Sequence, residues 1–154
     1  MCLTLKDVNH SNWRDVAALR VAEEQVPFIE SNSYSIAQSM FEPNWKMVAL
    51  YDGELLVGFA MYGVSKEDQS VWLDRFMIDV SFQGKGYAKR FVEIIINQIK
   101  KIYQCDELYL SVVMENNAAI SLYEKVGFKF TGEIDDTEVI IGNVMKLELN
   151  NYNQ

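Results

Sequence analysis

The sequence predicts an α/β fold in which strands and helices share one domain. An Asp-Gly pair at 52–53 is a strong hairpin signal, and it joins two strand-like runs at 45–51 and 55–64. An apolar run at 71–78 leads through a glycine-rich turn into an amphipathic run at 87–103. Because 154 residues with 49% hydrophobic composition suit one sizeable core, we expect a single domain.

Start and stop signals divide the chain before the hairpin into three elements. In order, these are a short strand at 2–8, a helix that Ser11 or Asn12 caps and that extends to about Arg20, and a helix that begins after Ser33 and ends before Pro43. Serine and asparagine accept hydrogen bonds from the first N–H groups of a helix, and proline disfavours helix at the residue before it. The two strands of the hairpin that follows should pair antiparallel.

The run at 87–103 carries conflicting signals for helix and strand. Three consecutive isoleucines at 94–96 favour a strand by propensity. Apolar residues nevertheless recur at helical spacing, at Phe91, Ile95, Ile99 and Ile102. The period and the length of the run favour a helix with one apolar face.

Two further strands are predicted beyond that helix. The run at 108–113 is strand-like, and the run at 139–149 alternates apolar side chains with others. Such alternation is typical of a strand with one buried face.

Negative charge is concentrated in the first half of the chain. Residues 1–80 carry 6 Lys or Arg against 12 Asp or Glu, and residues 81–154 carry 8 against 10, which gives −6 and −2. The total of −8 argues against nucleic acid as a partner and is compatible with a cationic substrate. Solubility alone explains such a charge equally well.

Cysteine and histidine are too few for several classes of site. Cys2, Cys105 and His10 are the only residues of these types, so neither a disulfide framework nor a Cys/His metal cluster can be assembled, and we expect no metal. No apolar run approaches the roughly 20 residues that a membrane span requires, and the first residues lack the pattern of a signal peptide. We therefore expect a cytoplasmic protein with no membrane partner.

The glycine-rich turn at 83–88 has the sequence Gln-Gly-Lys-Gly-Tyr-Ala. Its two glycines allow a tight turn and close approach to a ligand, and a helix that begins at Tyr87 points its first N–H groups into the turn. Lys85 adds a positive charge beside these groups, which together suit a pyrophosphate. The chain lacks the Gly-Lys-Ser/Thr of a P-loop, and Lys89 stands where a Rossmann fingerprint has its third glycine. The remaining alternative is a turn without a ligand.

A second motif at 116–128 follows the strand-like run at 108–113. Together with the turn, it resembles the signature of the GNAT superfamily of N-acetyltransferases, which is Gln/Arg-x-x-Gly-x-Gly/Ala followed by Asn-x-x-Ala-x-x-Leu-Tyr-x-x-x-Gly-Phe. The residues that fill the two patterns are Gln83, Gly86 and Ala88, then Asn116, Ala119, Leu122, Tyr123, Gly127 and Phe128. The order of predicted elements agrees with this family over nearly the whole chain.

The resemblance implies one GNAT domain over residues 1–154, with a central, mostly antiparallel sheet that splays between its fourth and fifth strands and is flanked by helices. It also implies direct transfer of acetyl from acetyl-CoA to an amine while both are bound, with the acyl-pantetheine arm paired to backbone in the splay. The residues implied in binding acetyl-CoA are Phe76, Met77, Ile78, Gln83, Gly84, Lys85, Gly86, Tyr87, Ala88, Asn116 and Lys125. Dimers are common in the superfamily, so a homodimer is one expectation.

Two residues are candidates for proton transfer by this resemblance. Tyr123 holds the position from which family members commonly protonate the departing CoA thiolate, and its alternative is a buried aromatic in the core. Asp74 is the candidate base, because Trp72 stands where some members keep a glutamate and Asp74 lies two residues later on the same face. The alternative for Asp74 is a surface ion pair with Arg75.

The connection after the first helix forms one wall of the acceptor site in this fold. The stretch at 23–38 resembles that of bacterial diamine and spermine/spermidine acetyltransferases, which implies a small cationic polyamine as acceptor. Residues implied in binding it through carboxylate and cation–π contacts are Glu23, Glu24, Phe28, Glu30, Tyr34 and Trp72. The alternatives are another amine, such as an aminoglycoside, an amino acid or a protein N-terminus, and a non-catalytic acyl-CoA-binding module.

Overall fold

A computed structural model describes residues 1–152 of the chain, with Asn151 described by its backbone alone. The strands are β1 (Leu3–Asp7), β2 (Trp45–Asp52), β3 (Leu55–Val64), β4 (Val71–Ile78), β5 (Glu107–Val112), β6 (Lys129–Asp135) and β7 (Gly142–Glu148). The α-helices are α1 (Trp13–Ala18), α2 (Asn32–Phe41), α3 (Tyr87–Tyr103) and α4 (Asn117–Val126), and short 3-10 helices span Glu23–Phe28, Val80–Phe82 and Leu149–Asn151. The strands form one sheet in the order β1-β2-β3-β4-β5-β7-β6.

The predicted hairpin is confirmed at β2 and β3. These strands are antiparallel, and Asp52 pairs with Leu55, which leaves Gly53 and Glu54 as the two-residue loop. Gly53 has a φ of 61°, a conformation that suits glycine because it has no Cβ. The local turn chemistry therefore sets the pairing of the residues next to the turn, and a bulge between Leu50 and Tyr51 shifts the register beyond them.

The sheet opens between β4 and β5, as the resemblance implies. These strands run parallel and share a single register pair, Trp72 with Tyr109. Beyond that pair, β4 continues to Ile78 along β3 on its other side. The α/β fold with a sheet splayed at its fourth and fifth strands is thus confirmed.

Helix α3 covers one face of the sheet with the apolar stripe that its spacing predicts. Phe91, Ile95 and Ile99 are fully buried in the main core. The expectation for Ile102 was wrong, because this side chain is 46% exposed. Tyr103 takes the inward position in the last turn, where its ring packs edge-on against Tyr62 at 6.2 Å.

The ends of the two N-terminal helices differ by a few residues from the prediction. Asn12 is the N-cap residue of α1, but its side-chain oxygen accepts from the Asn9 N–H and not from an N–H of the helix. The helix ends at Ala18, two residues before the predicted end at about Arg20. Helix α2 begins earlier than predicted because Ser31 caps it, accepting from the Tyr34 N–H at 3.1 Å. The 3-10 helix between α1 and α2 was not predicted.

The C-terminal hairpin departs most from the prediction. Strand β7 begins at Gly142 rather than at residue 139, and Val139 and Ile141 lie exposed in the connection before it. Strand β6 was missed because six of its seven residues are exposed, so that it lacks an apolar alternation. A Cβ at Gly142 would meet the Ser111 Oγ of β5 and approach the Val112 backbone to 3.2 Å, so glycine allows close approach of β7 to β5.

Within residues 1–152, no helix has both the length and the apolar composition that crossing a bilayer requires.

Candidate active site

A cavity of about 490 Å³ lies where β4 and β5 separate. Its walls come from the glycine-rich turn and the start of α3, from the inner face of α4, and from the connection between β6 and β7. It therefore extends from the helix N-terminus, where an anion is favoured, to a group of carboxylates at the opposite end.

The glycine-rich turn leaves open space at the N-terminus of α3. Gly84 and Gly86 have φ values of 75° and 86°, and a Cβ at either position would meet nothing within 4 Å. The Gln83 side chain holds the turn by donating to the Ile78 carbonyl and to the Gln25 side chain, each at 2.9 Å. Since α3 is 17 residues long and its first N–H groups face this space, the turn fits a pyrophosphate. Lys89, which sequence reasoning did not select, lines the cavity here.

Strand β4 presents its backbone to the cavity from Phe76 to Ile78. These residues line the cavity, while β3 pairs with the other edge of the strand through Ala60 and Gly58. Because the register with β5 stops at Trp72, this part of β4 can pair with an extended ligand as a further strand would.

Tyr123 lies on the inner face of α4. The Asn116 side chain accepts from the Ala119 N–H at 3.3 Å and so caps this helix. The Tyr123 side chain lines the cavity and is 8% exposed, and its ring packs edge-on against Phe128. Burial raises the pKa of the Tyr123 phenol, which keeps it protonated at neutral pH.

A β-bulge surrounds Asp74. The register of β3 with β4 pairs Tyr62 with Leu73 and Met61 with Arg75, which leaves Asp74 as the extra residue. The interpretation of Asp74 and Arg75 as a surface ion pair was wrong, because the two side chains are 10% and 3% exposed. The Arg75 Nη1 donates to the Asp74 Oδ2 at 2.7 Å.

The surroundings of Asp74 disfavour its charged form. Burial raises the pKa of Asp74 to about 7, with Glu138, Glu30 and Asp135 acting in the same direction and Arg75 opposing them. A carboxyl group that titrates near neutral pH is suited to proton transfer.

The end of the cavity away from the turn is a wall of carboxylates around Arg75. Nη2 of Arg75 donates to the Glu138 Oε2 at 3.0 Å and to the Gln38 Oε1 at 2.9 Å, and Nε lies 3.4 Å from the Glu30 Oε1. Sequence reasoning selected Glu30 and Asp74 but missed Arg75 and Glu138. The one signal for Arg75 was a charged residue inside an apolar strand, and Glu138 lies 63 positions away in a connection with no motif.

A second cavity of about 310 Å³ shares this wall. Both cavities are lined by Asp74, Asp135 and Glu138. Trp72 lines the second cavity, where it stacks on Tyr109 at 5.4 Å and donates from Nε1 to the Ser70 Oγ at 2.7 Å.

The structure brings most of the predicted site residues together, but not all of them. Those that line the first cavity are Phe28, Glu30, Asp74, Phe76, Met77, Ile78, Gln83, Gly84, Gly86, Tyr87, Ala88, Asn116 and Tyr123. Those that line neither cavity and are exposed are Glu23, Glu24, Tyr34, Lys85 and Lys125. Glu23 and Glu24 lie outside because the 3-10 helix that they begin directs Gln25 and Phe28 to the cavity instead.

In the part of the chain that the structure describes, no group of three or more His, Cys, Asp or Glu residues could hold a metal ion. Arg75 already balances part of the negative charge of the wall, because it pairs with Glu30, Asp74 and Glu138.

Comparison with known proteins gives a consistent family match. Residues 13–128 match the model of the Acetyltransferase (GNAT) family. A spermine/spermidine N(1)-acetyltransferase of Bacillus subtilis (strain 168) is 38% identical to this chain over 141 residues, which cover 88% of this chain and 93% of that protein.

Solved structures share the fold at lower identity. The spermidine N-acetyltransferase from Vibrio cholerae, crystallised in complex with CoA and spermine, has a TM-score of 0.77 and 20% identity, and 97% of each chain is covered. The ribosomal-protein-S5-alanine acetyltransferase from Vibrio fischeri has a TM-score of 0.74 and 13% identity, with 100% of this chain and 97% of that chain covered. Since these two proteins are named for different acceptors, the fold alone does not select the acceptor.

Proposed function

Because this chain belongs to the Acetyltransferase (GNAT) family, we propose that it transfers acetyl from acetyl-CoA to a primary amine of a small polyamine such as spermine or spermidine. The observation that carries the proposal is one cavity whose lining includes both an anion-favouring helix N-terminus and a wall of partly buried carboxylates. The 38% identity to a Bacillus subtilis spermine/spermidine N(1)-acetyltransferase supports the same acceptor.

The two ends of the cavity suit substrates of opposite charge. The first turn of α3 and Lys89 favour the phosphates of acetyl-CoA, whose pantetheine arm would follow the open backbone of β4. An N–H near Phe76 is our candidate donor to the thioester carbonyl. Glu30 and Asp74 at the other end favour an ammonium group, which a neutral acceptor cannot offer.

The different pKa values of Asp74 and Tyr123 suit a base and an acid. Asp74 would remove a proton from the acceptor ammonium, since an amine attacks a carbonyl only through its free lone pair. As the new C–N bond forms and the C–S bond breaks, Tyr123 would donate a proton to the departing sulfur. The new amide nitrogen would lose its remaining extra proton to solvent, and solvent would reprotonate the Tyr123 phenolate. Burial disfavours the charge on both groups, so the Asp74 carboxyl group has a pKa of about 7 and the Tyr123 phenol stays protonated at neutral pH.

Trp72 and Phe28 are our candidates for contact with the methylene chain of the acceptor. Phe28 lines the first cavity and Trp72 the second, and Asp74, Asp135 and Glu138 line both cavities. Glu23, Glu24 and Tyr34 stay predictions, and their exposure supports attraction of a cation from solution more than direct contact. Because acetyl-CoA is an intracellular metabolite, we also infer a cytoplasmic location, and the homodimer stays a prediction.

The acceptor is tested by initial rates of CoA release from acetyl-CoA with spermine, spermidine, a short diamine, an aminoglycoside and a peptide with a free N-terminus. We expect selective turnover of the polyamines, because several cationic groups gain from the carboxylate wall. Turnover confined to the aminoglycoside or the peptide would replace the acceptor while keeping the enzyme. Tight acetyl-CoA binding without turnover of any amine would favour the non-catalytic module.

The pH dependence of kcat/KM for spermine tests Asp74. We expect the rate constant to rise with pH through a midpoint near 7, because Asp74 below that pH is protonated and can neither accept a proton nor attract an ammonium group. Asp74→Asn should lower kcat/KM by about 10²–10⁴-fold and remove this limb. The matched variant Asp15→Asn, on the exposed side of α1, should keep both the rate and the limb. An unchanged limb in Asp74→Asn would assign the midpoint to another group.

A further inference from the structure

The buried guanidinium of Arg75 takes no part in the proton transfers proposed for Asp74 and Tyr123. Arg75 is 4% exposed, and a charge this deep is costly unless it is paired and hydrogen-bonded. Its hydrogen bonds go to Asp74 in β4, Gln38 in α2, and Glu138 in the connection from β6 to β7, while Glu30 before α2 forms an ion pair with Nε without a hydrogen bond. One side chain thus joins four separate segments of the chain.

Three of these partners line the end of the cavity where we place the acceptor. Glu30, Asp74 and Glu138 all line it, and within residues 1–152 no other Lys or Arg lies within 4.0 Å of their carboxylate oxygens. A planar guanidinium has five N–H donors on three nitrogen atoms in fixed directions, whereas a lysine ammonium has three donors on one atom, so Arg75 can reach carboxylates that approach from different sides.

The net charge of the cluster is favourable for a cationic acceptor. One guanidinium and three carboxylates leave a charge of −2 when all four are ionised, and Asp135 lies in the same wall. Without Arg75, three partly buried carboxylates would repel one another, and Glu138 would lose its ion pair with β4 while keeping the hydrogen bond from Gln38 of α2.

We propose that Arg75 is a positioning residue, which ties Glu30, Asp74 and Glu138 into one wall for the ammonium groups of the acceptor. It acts through these carboxylates, since its own charge would repel the substrate. This inference rests on the proposed polyamine acceptor. Arg75 would align three carboxylates that come from the connection before α2, from β4 and from the β6–β7 connection.

The test compares Arg75→Gln and Arg75→Lys with the wild type in spermine kinetics, acetyl-CoA binding and thermal unfolding. Both variants should raise the KM for spermine by at least about 10-fold while the Kd of acetyl-CoA stays within twofold, because the turn at α3 is untouched. Arg75→Lys should be the milder variant. Arg14→Gln, on the exposed face of α1, removes a positive charge elsewhere and should leave the kinetics unchanged.

The pH profile separates positioning from general loss of structure. Arg75 opposes the raised pKa of Asp74, so Arg75→Gln should move the midpoint of kcat/KM upward by about one unit or more. Glu30, Glu138 and Asp135 also face Asp74, and adding Glu138→Gln to Arg75→Gln restores the cluster to −2. The double variant should therefore bring the midpoint back toward the wild type, while the KM stays raised because the wall is no longer tied.

A folded Arg75→Gln with the wild-type KM and midpoint would overturn the inference. If Arg75→Gln does not unfold cooperatively, the same comparison of KM and midpoint in Arg75→Lys and in the double variant decides it. Absence of polyamine turnover in the wild type would instead reject the proposed function, so the two failures are distinguishable.

Discussion

Replacing Gly86 with aspartate is expected to weaken acetyl-CoA binding by at least about 100-fold. Gly86 is the N-cap residue of α3 and lines the cavity where the helix N-terminus favours an anion. An aspartate carboxylate there would occupy that space and repel the phosphates. Two like charges about 4 Å apart repel by about 4 kcal/mol at the effective dielectric near a protein surface, which more than accounts for this loss.

The variant should still fold, which makes the binding measurement interpretable. A Cβ at position 86 would meet nothing within 4 Å, and Asn and Asp tolerate a positive φ better than other residues with side chains. Calorimetric titration with acetyl-CoA and a thermal unfolding curve would therefore separate loss of ligand from loss of structure.

Gly86→Asn is the matched control for this prediction. It adds a side chain of nearly the same size in the same backbone conformation, but without charge. We expect Gly86→Asn to bind acetyl-CoA more tightly than Gly86→Asp by about 10-fold or more. Equal Kd values for the two variants would mean that bulk, and not charge, limits the site. A wild-type Kd in both would remove the phosphates from this turn.

The parts of the site that depend on short stretches of chain could be predicted from the sequence. The turn at 83–88 lies between β4 and α3, and each of these elements has a strong pattern of its own, so both were located to the residue. The cap at Asn116 is likewise a local feature, whereas the role of Tyr123 was implied by the family resemblance and not by the spacing within α4. For the turn and the cap, hydrogen bonds and side chains within a few residues determine the local structure.

The acceptor end depends on contacts that no local pattern contains. The bulge at Asp74 places Leu73 and Phe76 against the same core although they are three residues apart, which the alternation of an unbroken strand does not allow. Likewise, Glu138 reaches Arg75 only because β6 and β7 pair and position their connection over β4. The ion pair of Asp74 and Arg75 therefore lies at the centre of the carboxylate wall and not on the surface, because Arg75 also pairs with Glu138, which is 63 positions away in the sequence.

Replacing Tyr123 with phenylalanine is expected to lower kcat by about 10²–10⁴-fold with little change in the Kd of acetyl-CoA. The hydroxyl is the only group removed, and the ring that packs against Phe128 is retained, so the fold of α4 should persist. A thiolate leaves poorly without a proton, and Tyr87, the other tyrosine that lines the cavity within residues 1–152, donates its hydroxyl to Asp52. Single-turnover kinetics and titration with acetyl-CoA would measure the two effects separately.

Tyr103→Phe is the control, because that phenol lies in the last turn of α3 and lines neither cavity. It should leave kcat within twofold of the wild type. Since burial raises the pKa of Tyr123, the phenol stays protonated well above neutral pH, and the low-pH limb assigned to Asp74 should keep its midpoint in Tyr123→Phe. A reduced kcat with an unmoved midpoint would therefore separate the acid from the base. Wild-type turnover in Tyr123→Phe would mean that the departing sulfur takes its proton from solvent, and that Tyr123 serves only to pack α4 against the core.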